Sequence, residues 1–139
     1  MLSAAAVVVC ALGLLGRSSP GTVPIKLLDH APPRASQFVQ GFLTREPDTI
    51  WLVTSTSHFR DAQRGDPDAL RQIASVIVHE EWHVLHGTDE KGAYEAQLTT
   101  LTYLGASSNL IGVVRKSMAV VLDAQKRARG ELTLARKSD

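Results

Sequence analysis

The 139-residue chain is 44% hydrophobic, which is enough for one compact core and short for two domains. Its 15 basic and 14 acidic side chains nearly cancel, so the net charge of +1 supplies no field that would draw it to nucleic acid or to strongly acidic substrates. A single cysteine, Cys10, excludes an internal disulfide and a thiolate metal cage, leaving histidine and carboxylate as ligands for any metal.

Taken in chain order, the first feature is the uncharged run Leu2 to Gly16, followed by Arg17, Ser18, Ser19 and Pro20. At about 15 residues it is shorter than the roughly 20 a helix needs to span a bilayer. Small residues stand at Gly16 and Ser18, and the run reads as a secretory signal peptide over residues 1–18. The expectation is export to the periplasm or the exterior, with residues 19–139 as a single domain. The competing reading is an uncleaved leader that associates with the membrane.

Thr22 to Asp29 alternates loosely and suggests a short strand, which His30-Ala31-Pro32-Pro33 breaks into a loop. Ser36 to Leu43 is a short helical candidate. Thr49 to Thr54, with its β-branched and aromatic residues, is the strongest strand signal. Gly65-Asp66-Pro67-Asp68 supplies a turn and an acidic first turn for a helix from about Ala69 to His86. Leu70, Ile73, Ala74, Ile77, Val84 and Leu85 fall on one side of that helix, with the histidines opposite.

Gly87 is placed to end this helix in a left-handed conformation, and Thr88 to cap the next, which runs to about Leu104 with Tyr94, Leu98 and Leu101 on one stripe. A third helix is expected from about Asn109 to Arg129, its apolar face formed by Leu110, Val114, Met118, Val121 and Leu122. The class is therefore α+β and mostly helical, with a short sheet or edge strand packed on a motif helix. The basic tail through Arg136 and Lys137 reads as a solvated face.

The chemistry concentrates in His79-Glu80-Glu81-Trp82-His83. Histidines four apart on a helix project from adjacent turns and can bind one Zn²⁺ together, with Glu80 beside it. A hydrolytic zinc needs a third protein ligand and an open position. Glu95 is the leading candidate, because with a chain reversal near Gly87 a residue eight positions on returns to the level of His79. Asp89 ranks second, and Glu90 is explained by its favourable place in the first turn of a helix. His86, about 10.5 Å of helical rise from His79, is too distant to close around the same ion. Glu81 falls on the apolar side and calls for a base, for which Arg115 and Lys116 are candidates. Trp82 reads as a packing residue.

The stretch HEEWHVLHGTDEKGAYEAQ resembles the gluzincin branch of the zincin metallopeptidases, in its compact bacterial form, over about Ala69 to Leu104. The resemblance implies a zincin-like fold, one zinc ion held by His79, His83 and Glu95, Glu80 as general base on a metal-activated water, and a peptide or protein substrate. It also implies an edge strand beside the cleft, which Thr49 to Thr54 would provide. Four residues beyond Glu95, where larger members often carry an aspartate, stands Thr99. Tyr94, Tyr103, His58 and His86 are the candidates for an oxyanion donor. Two other readings compete: a zinc-stabilised binding module without turnover, and a metal-free helical interaction protein anchored by its leader.

Overall fold

The computed structural model describes residues 1–18, 23–30 and 48–137, with side chains described as far as residue 130. Among them are α1 (Ala4–Leu14), β1 (Ile25–Leu28), β2 (Ile50–Val53), α2 (Ser57–Gln63), α3 (Pro67–His86), α4 (Glu90–Tyr103) and α5 (Ser108–Lys137). The helical candidate Ser36 to Leu43 and the proline-rich break at 31–33 lie outside the described residues. The class expected from the sequence holds at this level: a mostly helical chain with one short sheet.

The longest buried stretch of helix, α3, is central, and α1, α2, β2 and α4 all pack against it. Pro67 opens α3 at its first turn, where a missing N–H costs nothing, and Asp66 and Asp68 flank it. Ile73, Ala74 and Ile77 are buried along its inner side together with Phe59 and Ala62 of α2. The strands pair in parallel with Ile25 opposite Ile50, and Lys26 opposite Trp51, which places the Lys26 ammonium 5.4 Å from the indole. Ile50 and Leu52 point into the core while Trp51 and Val53 are only half buried, the alternation a one-sided strand requires.

The apolar N-terminal run forms α1, and in the structure it is part of the core. Val7, Ala11 and Leu12 are buried in the same cluster as Phe59, Ile73 and Ile77. Leu2 N donates to the Gln63 carbonyl at 2.7 Å, and Gln63 Nε2 returns a bond to the Leu2 carbonyl, so the start of α1 is tied to the end of α2. At its other end Arg17 meets Glu81 of α3. Among the described residues no helix is long and apolar enough to cross a membrane.

The helix Ser57–Gln63 has no counterpart in the sequence reading. Its N-cap is Thr56, whose hydroxyl accepts from Phe59 N at 3.3 Å, and its Phe59 is fully buried. The second hairpin helix is capped by Asp89, which accepts from Lys91 N, and not by Thr88. Asp68 at the start of α3 accepts from both the backbone N–H and the hydroxyl of Ser107, and thereby pins the turn before α5.

Candidate metal centre

Two helices build this site. His79 and His83, one turn apart on α3, are both buried at 8% exposure and point at α4, with ring centroids 5.0 Å apart. Gly87 ends α3 with φ of 93°, a conformation that favours glycine, and its carbonyl accepts from His83 Nδ1 at 2.7 Å. The chain then reverses through Thr88 and Asp89 and starts α4 at Glu90. From that first helical position the Glu90 carboxylate reaches back to both imidazoles: Oε2 is 3.1 Å from His79 Nε2, and Oε1 is 3.0 Å from His83 Nε2. Ligand atoms of His79, His83 and Glu90 all lie within 4.8 Å of one another.

The inward stripe of α4 is Glu90, Ala93, Gln97 and Leu101, spaced three or four apart, and the last three are buried. Gln97 carries the contact one level further in: its Oε1 accepts from His79 Nδ1 at 2.8 Å, and its Nε2 donates to Ser75 Oγ at 3.2 Å. Tyr94 stacks edge-on against His79 with centroids 4.6 Å apart. A cavity of about 200 Å³ opens beside these groups, lined by Val76, His79, Glu80 and Tyr94, with Val113 and Ser117 contributed by α5.

The electrostatics follow from crowding two carboxylates and two imidazoles. Burial opposes the charged form of Glu90, but hydrogen bonds and attraction from His79 and His83 outweigh it and hold that carboxyl at about 2. For His83 burial favours the neutral ring, yet the hydrogen bonds to Glu90 and to the Gly87 carbonyl win, and its pKa is raised. Glu80 is pushed up by burial and by the neighbouring Glu90, against the pull of the two histidines. Burial, with the Glu90 and Glu80 charges, also raises Tyr94.

Of the residues the sequence pointed to, the structure brings together His79, His83 and Glu80, and it does not bring Glu95 to them. The Glu95 side chain is 60% exposed and lies 4.0 Å from Lys91 Nζ on the outer face of α4. The carboxylate at the imidazoles is Glu90. Asp89 is an exposed cap. His86 is exposed and rests on Trp82, ring centroids 4.7 Å apart, as a helix-end residue should. Glu81 finds its base in Arg17 and not in Arg115 or Lys116. Glu90, which sequence assigns to the helix dipole alone, is the carboxylate at the imidazoles, and Gln97 and Ser75 are missed by it; the repeat Ala93, Gln97, Leu101, extended one step upstream, leads to Glu90.

Comparison with known proteins gives no match: no protein family, no curated protein and no solved structure is significantly similar to this chain. The chain is mostly helical with a short sheet among the described residues, and it sets two buried histidines and the half-buried Glu90 beside a second carboxylate.

Proposed function

We propose that the chain is a zinc-dependent hydrolase, a compact zincin-like metallopeptidase, in which His79, His83 and Glu90 hold the metal and Glu80 is the general base. The observation that supports this most is the convergence of two Nε2 atoms and one carboxylate within 4.8 Å, next to a second, half-buried carboxylate, Glu80. The donor set suits zinc, since two histidines and one carboxylate leave a fourth position open. His79, His83 and Glu90 would hold the ion, with the Glu90 carboxylate oxygens 3.1 and 3.0 Å from the two Nε2 atoms.

When bound, the ion supplies Lewis acidity toward a substrate carbonyl and acidifies water. Glu80, held at the cavity wall with a raised pKa, takes the proton of the attacking water and delivers it to the leaving amine. Of the four candidate oxyanion donors, Tyr94 lines the same cavity and packs edge-on against His79. Tyr103 is 86% exposed, His86 lies against Trp82, and His58 is on α2 beside Thr56.

The small cavity, about 200 Å³, also favours a second reading, a zinc-stabilised module without turnover. Metal content measured by plasma mass spectrometry on the full chain, with a variant carrying His79→Ala and His83→Ala, tests the site. One zinc per chain, lost in the variant, is expected. A peptide library screened with wild type and Glu80→Gln separates the two readings. Hydrolysis lost in E80Q with zinc retained supports the enzyme, and zinc-loaded wild type that cleaves nothing supports the module.

A further inference from the structure

A metal-ligating imidazole must present a lone pair, so its other nitrogen must carry the proton, and something must hold it there. For His83 the Gly87 carbonyl, which can only accept, fixes Nδ1 as the donor. For His79 the partner is an amide side chain, which could present either end, so the tautomer depends on what orients the amide.

The chain of bonds behind His79 answers this. Ser75, fully buried, donates its hydroxyl proton to the Gln72 carbonyl at 2.7 Å. Having one proton, the Ser75 hydroxyl can only accept from its other neighbour. That neighbour is Gln97, 6% exposed, which must therefore turn its NH₂ toward Ser75, and it does so at 3.2 Å. The amide oxygen is then directed at His79, where it can only accept, and the 2.8 Å contact requires the proton on His79 Nδ1. The backbone carbonyl of Gln72 thus sets the direction of every bond up to the imidazole, and Nε2 faces the Glu90 carboxylate, to which it can donate only while His79 carries both ring protons.

We propose that Gln97, oriented by Ser75, is a positioning residue that holds His79 in the Nδ1–H tautomer and so readies its Nε2 for a divalent metal. The inference rests on the proposed metal centre for its purpose, but not for its geometry, because the bonds from Gln72 to His79 involve only this chain's own groups. Ser75 is fully buried and Gln97 is 6% exposed between α3 and α4, where Gln97 also lines the cavity beside His79. Leucine at 97 would keep the volume and remove both the acceptor and the donor. Glutamate would keep the acceptor.

The test uses the full chain as wild type, Gln97→Leu, Gln97→Glu and Ser75→Ala. Two quantities are measured: the histidine tautomers of the metal-free protein by long-range proton–nitrogen correlation at alkaline pH, each chain carrying Glu90→Ala as well so that no carboxylate draws the proton to Nε2, and the zinc affinity of the chains with Glu90 intact, by competition with a chromophoric chelator. His79 is expected as the Nδ1–H form in E90A alone and as a mixture in E90A with Q97L. Zinc affinity is expected to fall about 10- to 100-fold in Q97L, the range typical for loss of such a partner, and to recover in Q97E. S75A, which removes only the anchor, should mix the tautomers and weaken zinc severalfold, and it decides the matter alone if Q97L does not fold. An unchanged His79 tautomer in either variant overturns the proposal. So does Q97L zinc affinity within twofold of wild type. Wild type that binds no zinc, with the Nδ1–H form present in the Glu90→Ala chain, sinks the metalloenzyme reading and leaves the relay standing.

Discussion

The Arg17 guanidinium grips both carboxylate oxygens of Glu81, at 2.6 and 2.9 Å, and so fastens the chain just beyond α1 to the helix that carries His79 and His83. The pair is fork on fork, the strongest geometry available to these groups, and it sits two residues from one imidazole and two from the other. With 32% and 20% of the two side chains exposed, water screens it in part, and its loss should cost about 1 kcal/mol. A double-mutant cycle of R17A and E81A in urea denaturation should return a coupling of that size.

The burial of Val7, Ala11 and Leu12 gives the N-terminal segment a larger role than this ion pair. A fully buried Val or Leu contributes about 1.5–3 kcal/mol, so a chain lacking residues 1–18 should lose several kcal/mol and expose Phe59 and Ile73. Thermal unfolding of residues 19–139 beside the full chain measures it. Equal melting temperatures would mean that the segment is dispensable for folding, as a cleaved leader must be.

Gly92 is where α4 passes over Trp82. A Cβ built at this position would stand 2.1 Å from Cζ2 of the indole, so even alanine must push the ring or the helix aside. Gly92→Ala is expected to destabilise by about 1–3 kcal/mol and to shift tryptophan fluorescence. Adding Trp82→Leu should recover part of the loss. An alanine variant with wild-type stability and emission would show that the approach of the helices is looser than 2.1 Å implies.

Glu90 and Glu95 make opposite predictions. Replacing Glu90 by Gln removes the charge that faces both Nε2 atoms and should lower zinc affinity by at least about tenfold, in line with loss of a ligand or its close partner. Replacing the exposed Glu95 by Gln should leave affinity within twofold. The reverse pattern in a chelator competition would restore Glu95 as the ligand.

In metal-free protein the Glu90 contribution depends on pH from both sides. Its carboxyl titrates at about 2 when folded, below its ordinary value of 4.5, so its stabilisation is fully present above pH 4.5 and is lost as pH falls toward 2. The raised pKa of His83 acts in the opposite direction: its share is present below the ordinary histidine value and is lost as pH rises through the raised one. The stability difference between wild type and E90Q in chelator should therefore peak between about pH 5 and 6 and shrink on either side. A difference that stays flat from pH 3 to 9 would remove the ion pair from the account.

The residues alone determined α3 and the reversal after it, because their causes are local: Pro67 after Asp66 starts α3, Gly87 ends it, and a four-residue spacing puts His79 and His83 on one face whatever surrounds them. They also determined that any metal would be held without thiolates. Tertiary structure decided the third carboxylate. Counting rise from Gly87 puts Glu95 near the level of His79, where its neighbour Tyr94 packs, but says nothing of how α4 is rotated about its own axis. Five residues turn a helix by about 140° beyond a full circle, enough to send Glu95 to solvent and Glu90 to the imidazoles. That rotation is set by which side chains α4 buries against α3, namely Ala93, Gln97 and Leu101, and so is the meeting of Gln97 with His79. The place of α1 was settled in the same way. An uncharged run has no preferred neighbour in its own sequence, and only the opening between α2 and α3 makes it part of this core.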